Sequence, residues 1–302
     1  MSIPQTVFVP AYAKINLTLA VLGKRLDGYH RLASVMQTVS LHDMLRIEAT
    51  DSGEISCVTD MQELQSPENL AYRAATLLRT EAGITDRGAR IELHKEVPTQ
   101  AGLGGGSSDA AAVLTALNRL WRLNLSAPRL EALAAQLGSD VPFFVGGGTA
   151  LVEGRGEVIT PLPDAEPLWL VLVKPPIGVS TADAFRALTP ADYGDRAKTE
   201  ALAAAIQRGN SLPFQLLINS LERSVFARYP ELREAAEMLR AAGAPIVRMS
   251  GSGPTLYAPF RTLTAASVVY DQMQATHLQA WLCHTVNRAM MLAGQPALGF
   301  GL

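Results

Sequence analysis

Apolar and polar positions along the chain alternate with a period of two in some segments and recur at helical spacing in others. Ile15, Leu17, Leu19 and Val21 alternate with Asn16, Thr18 and Ala20, which predicts a half-buried strand. The same period puts Lys14, Asn16 and Thr18 together on its polar face. Gly23 ends that strand, and Asp27-Gly28 supplies a turn whose exit presents Tyr29 and His30. Ser66 before Pro67 reads as an N-cap, with Leu70, Leu77 and Leu78 on the apolar side of the helix that follows. Residues 90–97 (RIELHKEV) alternate again, with Ile91, Leu93 and Val97 on one face. A glycine run comes next, and then DAAAVLTALNRLW, in which Val113, Leu117 and Leu120 recur at helical spacing.

Ser126 caps a further helix with Pro128 in its first turn, a stripe of Leu130, Leu133 and Leu137, and Gly138 as its stop. Asp140 follows in a short loop before Pro142. Prolines at 161, 163 and 167 mark the expected boundary between a domain of residues 1–162 and one of 163–302. The second half opens with the apolar run from Leu168 to Val173, a buried strand. Helices are expected at about 181–188, 213–227 and 231–242, then a strand-turn-strand at VRMSGSGPTLYA; the alanine-rich 199–206 stretch is compositionally simple. Strands and helices mix without a regular βαβ rhythm, so the fold class is α+β.

Composition narrows the function. At 302 residues and 48% hydrophobic, the chain can bury a sizeable core without a metal or disulfide staple. Lys and Arg number 26 against 28 Asp and Glu, a formal net charge of −2, which argues against a general nucleic-acid binder. Two cysteines without CxxC spacing point to a reducing, cytoplasmic setting. No signal peptide or membrane-spanning run is visible, and the five histidines include no HExxH pair.

The glycine run, VPTQAGLGGGSSDAA at 97–111, joins the expected strand to the expected helix. A helix N-terminus offers unpaired N–H groups and the positive end of the macrodipole, and glycines let that backbone approach an anion. A plain connector with a serine cap is the competing reading. The run lacks the lysine of a Walker loop, and GxGxxG fails from Gly102 and from Gly104. GxSxG fails at Ser107 and at Ser252, and the HRD and DFG segments of protein kinases are absent.

P-x-x-x-G-L-G followed by serines and an alanine-rich helix resembles the ATP loop of the GHMP kinases, which act on small molecules. AYAKINLTL resembles that family's N-terminal motif and VRMSGSGPTLYA its C-terminal glycine motif. The longer GLGGGSSDAA, with RLDGYHRL and LGSDVPFFV, is similar to the branch that phosphorylates the 2-hydroxyl of 4-diphosphocytidyl-2-C-methyl-D-erythritol in non-mevalonate isoprenoid synthesis. Another GHMP kinase, of the homoserine or mevalonate type, and a catalytically dead metabolite sensor are the alternatives. The extended loop and DGYH speak against the first, and retention of Lys14 with Asp140 against the second.

The resemblance implies a two-domain fold with the active site in the cleft between the domains. It assigns Asp140 as catalytic base and Lys14 as the cation that offsets charge developing in the transition state. It implies that Pro98, Gly102, Leu103, Gly104, Gly105, Gly106, Ser107 and Ser108 wrap the ATP phosphates, with Gly251 and Gly253 closing nearby and Lys95 touching a nucleotide. For the acceptor it implies Asn16, a cytosine stacked on Tyr29 and bonded by His30, and Phe185 with Thr181 from VSTADAF; a place in an apolar helix stripe competes for Phe185. ATP enters as its Mg²⁺ complex, and the metal's ligands are unknown from sequence. Monomer and weak homodimer are both open.

Overall fold

The computed structural model describes residues 6–293. Two long strands dominate the first half, β1 (Thr6–Lys24) and β2 (His30–Thr50), paired antiparallel through the turn at 25–29. After them come β3 (Ile55–Thr59), α1 (Leu70–Glu81), β4 (Gly88–His94), α2 (Gly105–Leu120), α3 (Ala127–Leu137), α4 (Val141–Gly146), β5 (Thr149–Gly154) and β6 (Val158–Pro161). The second half runs β7 (Trp169–Lys174), α5 (Thr181–Arg186), α6 (Ala197–Gln207), β8 (Ile218–Asn219), α7 (Glu222–Arg228) and α8 (Pro230–Ala241). It closes with β9 (Arg248–Met249), β10 (Leu256–Phe260), α9 (Leu263–Gln274), β11 (Gln279–His284) and α10 (Arg288–Ala293).

The strands form a seven-stranded sheet ordered β3-β4-β2-β1-β8, with β5 and β6 branching from β2, and a four-stranded sheet ordered β11-β7-β10-β9. Most pairings are antiparallel, and β1 with β8 and β3 with β4 run parallel. The α+β class expected from the missing βαβ rhythm is the one observed. Among the described residues no helix is long and apolar enough to cross a membrane.

Three apolar clusters hold these layers. One packs α1 to α4 on the first sheet, one packs α7 to α9 on the second, and a third joins Ile15, Leu17 and Val35 to Leu170, Leu172 and Tyr257 between the sheets. The third cluster corrects the reading of β1 as half-buried. Lys14, Asn16 and Thr18 on its polar face are also buried, at 3%, 2% and 0% exposure. β1 is therefore a central strand closed on both sides, and its polar face lines an interior site. Register shifts between Tyr12 and Lys14 and between Asn16 and Thr18 break the strict alternation there.

Several local expectations shift. Asn69, not Ser66, caps α1, its side chain accepting from Ala71 N–H at 2.9 Å. Ser126 stands at the N-cap of α3 but makes no side-chain cap bond. The helix expected at 213–227 is a short 3₁₀ turn, then β8, then α7 from Glu222. The alanine-rich stretch at 199–206 is the body of α6.

Candidate active site

Lys14 and Asn16 form the floor of the site, whereas the Thr18 hydroxyl is buried against the Val35 N–H and Thr199. The Lys14 backbone N–H donates to Leu103 O at 2.9 Å, which pins β1 to the glycine loop. Its ammonium donates to Asn16 Oδ1 at 2.7 Å and stands 3.5 Å from Asp140 Oδ2. Asn16 Nδ2 donates to Ser34 Oγ at 2.8 Å, and Ser34 Oγ donates to the Thr18 carbonyl. That chain fixes the Asn16 amide so that its oxygen faces Lys14. Asp140 is the N-cap residue of α4 rather than part of a free loop. Its side chain makes no cap bond, and the carboxylate, 34% exposed, is left facing the 4%-exposed Lys14 side chain.

The glycine run turns directly into a helix. Gly104 occupies the left-handed cap position at φ +74° and α2 starts at Gly105, so Ser107 and Ser108 lie in its first turn. α2 is 16 residues long and mostly buried, so the free N–H groups of its first turn and its dipole are held rigidly. Ser107 is half-buried and Ser108 buried. Gly102 also sits at φ +74°, and a Cβ there would stand 2.1 Å from Ser250 O. Ser250 Oγ donates to Gly102 O at 2.9 Å, and Asn219 Nδ2 donates to Met249 O and Gly251 O, each at 2.8 Å. A Cβ on Gly251 would lie 3.1 Å from Gly102 O and 3.4 Å from Lys14 Nζ. The glycine loop, the turn containing Gly251 and Gly253, and Lys14 therefore converge on one point.

Aromatic side chains gather at the turn between β1 and β2 and at α5. Tyr29 is 56% exposed, with the Arg155 guanidinium 5.0 Å from its ring centroid. His30 faces Phe185 at 5.4 Å and Tyr193 at 6.1 Å between centroids. Burial, and secondarily Lys24, hold the His30 pKa below its ordinary value. Phe185 is half-buried, leaning on the second core while turning toward His30. Thr181 shares a hydrogen bond with Ser252 at 2.8 Å, which ties α5 to the turn before β10.

Lys95 lies beneath the start of α2, its Nζ 3.3 Å from where a Cβ on Gly105 would stand. Its side chain is 3% exposed, and the ammonium is bound between the buried carboxylates of Asp43 and Asp109. Burial works against the Lys95 ammonium, but Asp109 and Asp43 outweigh it and raise its pKa. Burial pushes the Asp109 carboxyl up to about 8 against the pull of Lys95, with Asp43 adding to the rise. Asp43, Asn219, Ser34, Arg155 and Tyr193 escaped the sequence reading. The one signal at Asp43 is an acid inside a strand that is otherwise largely apolar or neutral.

The chain matches the GHMP kinases N terminal domain at residues 69–148 and the GHMP kinases C terminal model at 201–278. It is 46% identical over 279 residues to a 4-diphosphocytidyl-2-C-methyl-D-erythritol kinase of Pelotomaculum thermopropionicum, covering 92% of this chain and 97% of that protein. A crystal structure of 4-(cytidine 5'-diphospho)-2C-methyl-D-erythritol kinase superposes with a TM-score of 0.80 at 39% identity, over 92% of this chain and 99% of that one. Homoserine kinase from Cytophaga hutchinsonii shares the fold, at a TM-score of 0.73 and 19% identity, over 95% of this chain and 96% of that one.

Proposed function

The chain belongs to the GHMP kinases, in the family of 4-diphosphocytidyl-2-C-methyl-D-erythritol kinases, and from that membership we propose how its residues carry out the reaction. It phosphorylates the 2-hydroxyl of 4-diphosphocytidyl-2-C-methyl-D-erythritol with ATP, in the non-mevalonate route to isoprenoids. The observation that carries the mechanism is the meeting of Lys14 and Asp140 at the mouth of the glycine loop.

Asp140 takes the proton of the acceptor hydroxyl as its oxygen attacks the γ-phosphorus, and the bond to the β-phosphate oxygen breaks to release ADP. Lys14 stands between that base and the phosphates and offsets the negative charge that builds there. The backbone from Gly102 to Ser107 presents N–H groups to the phosphates, with Gly251 and Gly253 opposite. Pro98, Leu103 and Ser108 shape that loop. Magnesium arrives on the ATP phosphates as part of the co-substrate. Among the described residues no three His, Cys, Asp or Glu side chains converge as a metal cage.

Tyr29, His30 and Phe185 receive the cytosine, and Asn16 and Thr181 border the rest of the acceptor. A domain division near residue 162 is supported by the chain leaving the first sheet at Pro161 and entering the second at Trp169. The reading includes a cytoplasmic enzyme, which a chain with two cysteines and no CxxC spacing suits, either monomeric or weakly dimeric.

Release of ADP is measured with the cytidyl substrate, mevalonate and homoserine in parallel. Only the first is expected to turn over, and Asp140→Asn is expected to cost on the order of 10²- to 10⁴-fold in kcat. Near-normal turnover in that variant would remove Asp140 as the base, and turnover of mevalonate or homoserine alone would remove the substrate assignment.

A further inference from the structure

The mechanism leaves one buried charge cluster unused. Asp43 Oδ1 accepts the backbone N–H of Glu96 at 2.7 Å and of Val97 at 2.8 Å, where the chain leaves β4 for the phosphate loop. Its Oδ2 accepts from Lys95 Nζ, which also donates to Asp109 Oδ2 at 2.8 Å. Asp109 lies on α2 about one turn beyond Gly105. One ammonium thus ties the strand that enters the loop to the helix that leaves it. A Cβ on Gly105 would stand 3.0 Å from the Val97 side chain and 3.3 Å from Lys95 Nζ, so the cluster lies directly under the start of α2.

All three side chains are at most 3% exposed. Two carboxylates and one ammonium, fully ionised, would bury a net negative charge beneath the place where phosphates bind. Among the described residues Asp109 Oδ1 has no hydrogen-bond partner, which a neutral carboxyl bears better than a carboxylate does. The groups facing Asp109 are Asp43 from β2, Lys95 at the end of β4, and the Cys57 thiol of β3, whose own pKa is raised by burial and then by Asp109. Asp60, on the exposed side, bonds His94 and the Lys95 backbone N–H.

We propose that Asp43, Lys95 and Asp109 are positioning residues that hold both ends of the phosphate loop in nucleotide-binding shape, setting nucleotide affinity without touching the acceptor. The proposal rests on the reading of the loop as the ATP site. Full-length protein is titrated with Mg²⁺ and AMP-PNP by calorimetry at pH 7 and pH 9, and the acceptor KM is measured alongside. The double variant Lys95→Met/Asp43→Asn removes one charge of each sign and keeps an oxygen for the two backbone N–H groups. It is expected to weaken nucleotide binding about tenfold or more, with the acceptor KM held within about twofold. Nucleotide affinity of the wild type is expected to fall between pH 7 and pH 9, and Asp109→Asn to abolish that fall, a readout independent of how well the double variant folds. Unchanged nucleotide affinity in the double variant, an acceptor KM that rises in step with it, or a pH dependence that survives Asp109→Asn would each overturn the proposal. A wild type that binds no AMP-PNP would instead remove the ATP-loop reading itself.

Discussion

Gly102 and Gly106 belong to one glycine run, yet the backbone asks different things of them. At Gly102 a positive φ of +74° coincides with a Cβ position 2.1 Å from Ser250 O, whereas a Cβ on Gly106 would meet only Leu70 Cδ1, at 3.8 Å. Gly102→Ala is therefore expected to cost about 1–3 kcal/mol from backbone strain, plus the displacement of the Ser250 turn. Gly106→Ala lies in a helix and is expected to hold or slightly raise the melting temperature. Thermal melts of the two variants check this, and equal losses would show that the close approach to Ser250 is unimportant. Asp109 makes a second prediction at this scale. Its folded carboxyl stands at about 8, above the ordinary carboxylate value, so between the two the folded chain holds a proton that the unfolded chain has lost. The stabilisation is complete below the ordinary value and is lost as pH rises toward 8. Glu222, raised by burial, acts in the same sense. The urea midpoint is expected to fall from pH 5 to pH 8, and Asp109→Asn to flatten part of that slope; an unaltered slope would place the titration elsewhere.

Elements were legible where their signal is contiguous. VPTQAGLGGGSSDAA carries its strand exit, glycines and serines in one stretch, so the phosphate loop and α2 could be read directly. The serines expected at the helix start do lie in the first turn of α2, from two residues inside its observed first residue, Gly105. α1 shows a limit at a cap. Ser66-Pro67 is the stronger sequence pattern, but Ser66 Oγ accepts from Glu68 N–H in a preceding turn, and Asn69 caps the helix. Asn69→Ala is expected to cost about 1 kcal/mol and Ser66→Ala only a few tenths, with nucleotide kinetics unchanged in both. Denaturant titration separates the two, and equal costs would return the cap to Ser66. The expected helix at 213–227 failed because Ile218 and Asn219 are claimed by β1 as a parallel neighbour, a tertiary pairing that outweighs local pattern. The site was half legible for the same reason. Lys14, Asn16 and Asp140 lie in recognisable segments, whereas Asp43 meets Lys95 across 52 positions and Asn219 meets Met249 across 30. No local spacing encodes those contacts.

Across the whole molecule, β1 is shared by the two halves. Ile15 and Leu17 contribute to the core between the sheets together with Leu170, Leu172 and Tyr257, and β8 returns from the second half to pair with β1. The Tyr257 hydroxyl, fully buried, donates to Asn16 O at 3.0 Å and so joins β10 to the strand that carries Lys14. Neither half can close its apolar surface alone: residues 1–162 on their own would expose Ala13, Ile15, Leu17 and Val35 to water. The protein is therefore expected to melt in a single calorimetric transition whose calorimetric and van't Hoff enthalpies agree, despite its two sheets. Tyr257→Phe leaves a buried carbonyl without its partner and is expected to cost about 1–3 kcal/mol. For a chain of this size each kcal/mol moves the transition by about 2 °C, so the variant should shift the one peak downward without splitting it. Two resolved peaks in the wild type would show that the sheets fold independently. A split confined to Tyr257→Phe would instead identify that one hydroxyl as the link that couples the halves and keeps Lys14 aligned with the phosphate loop.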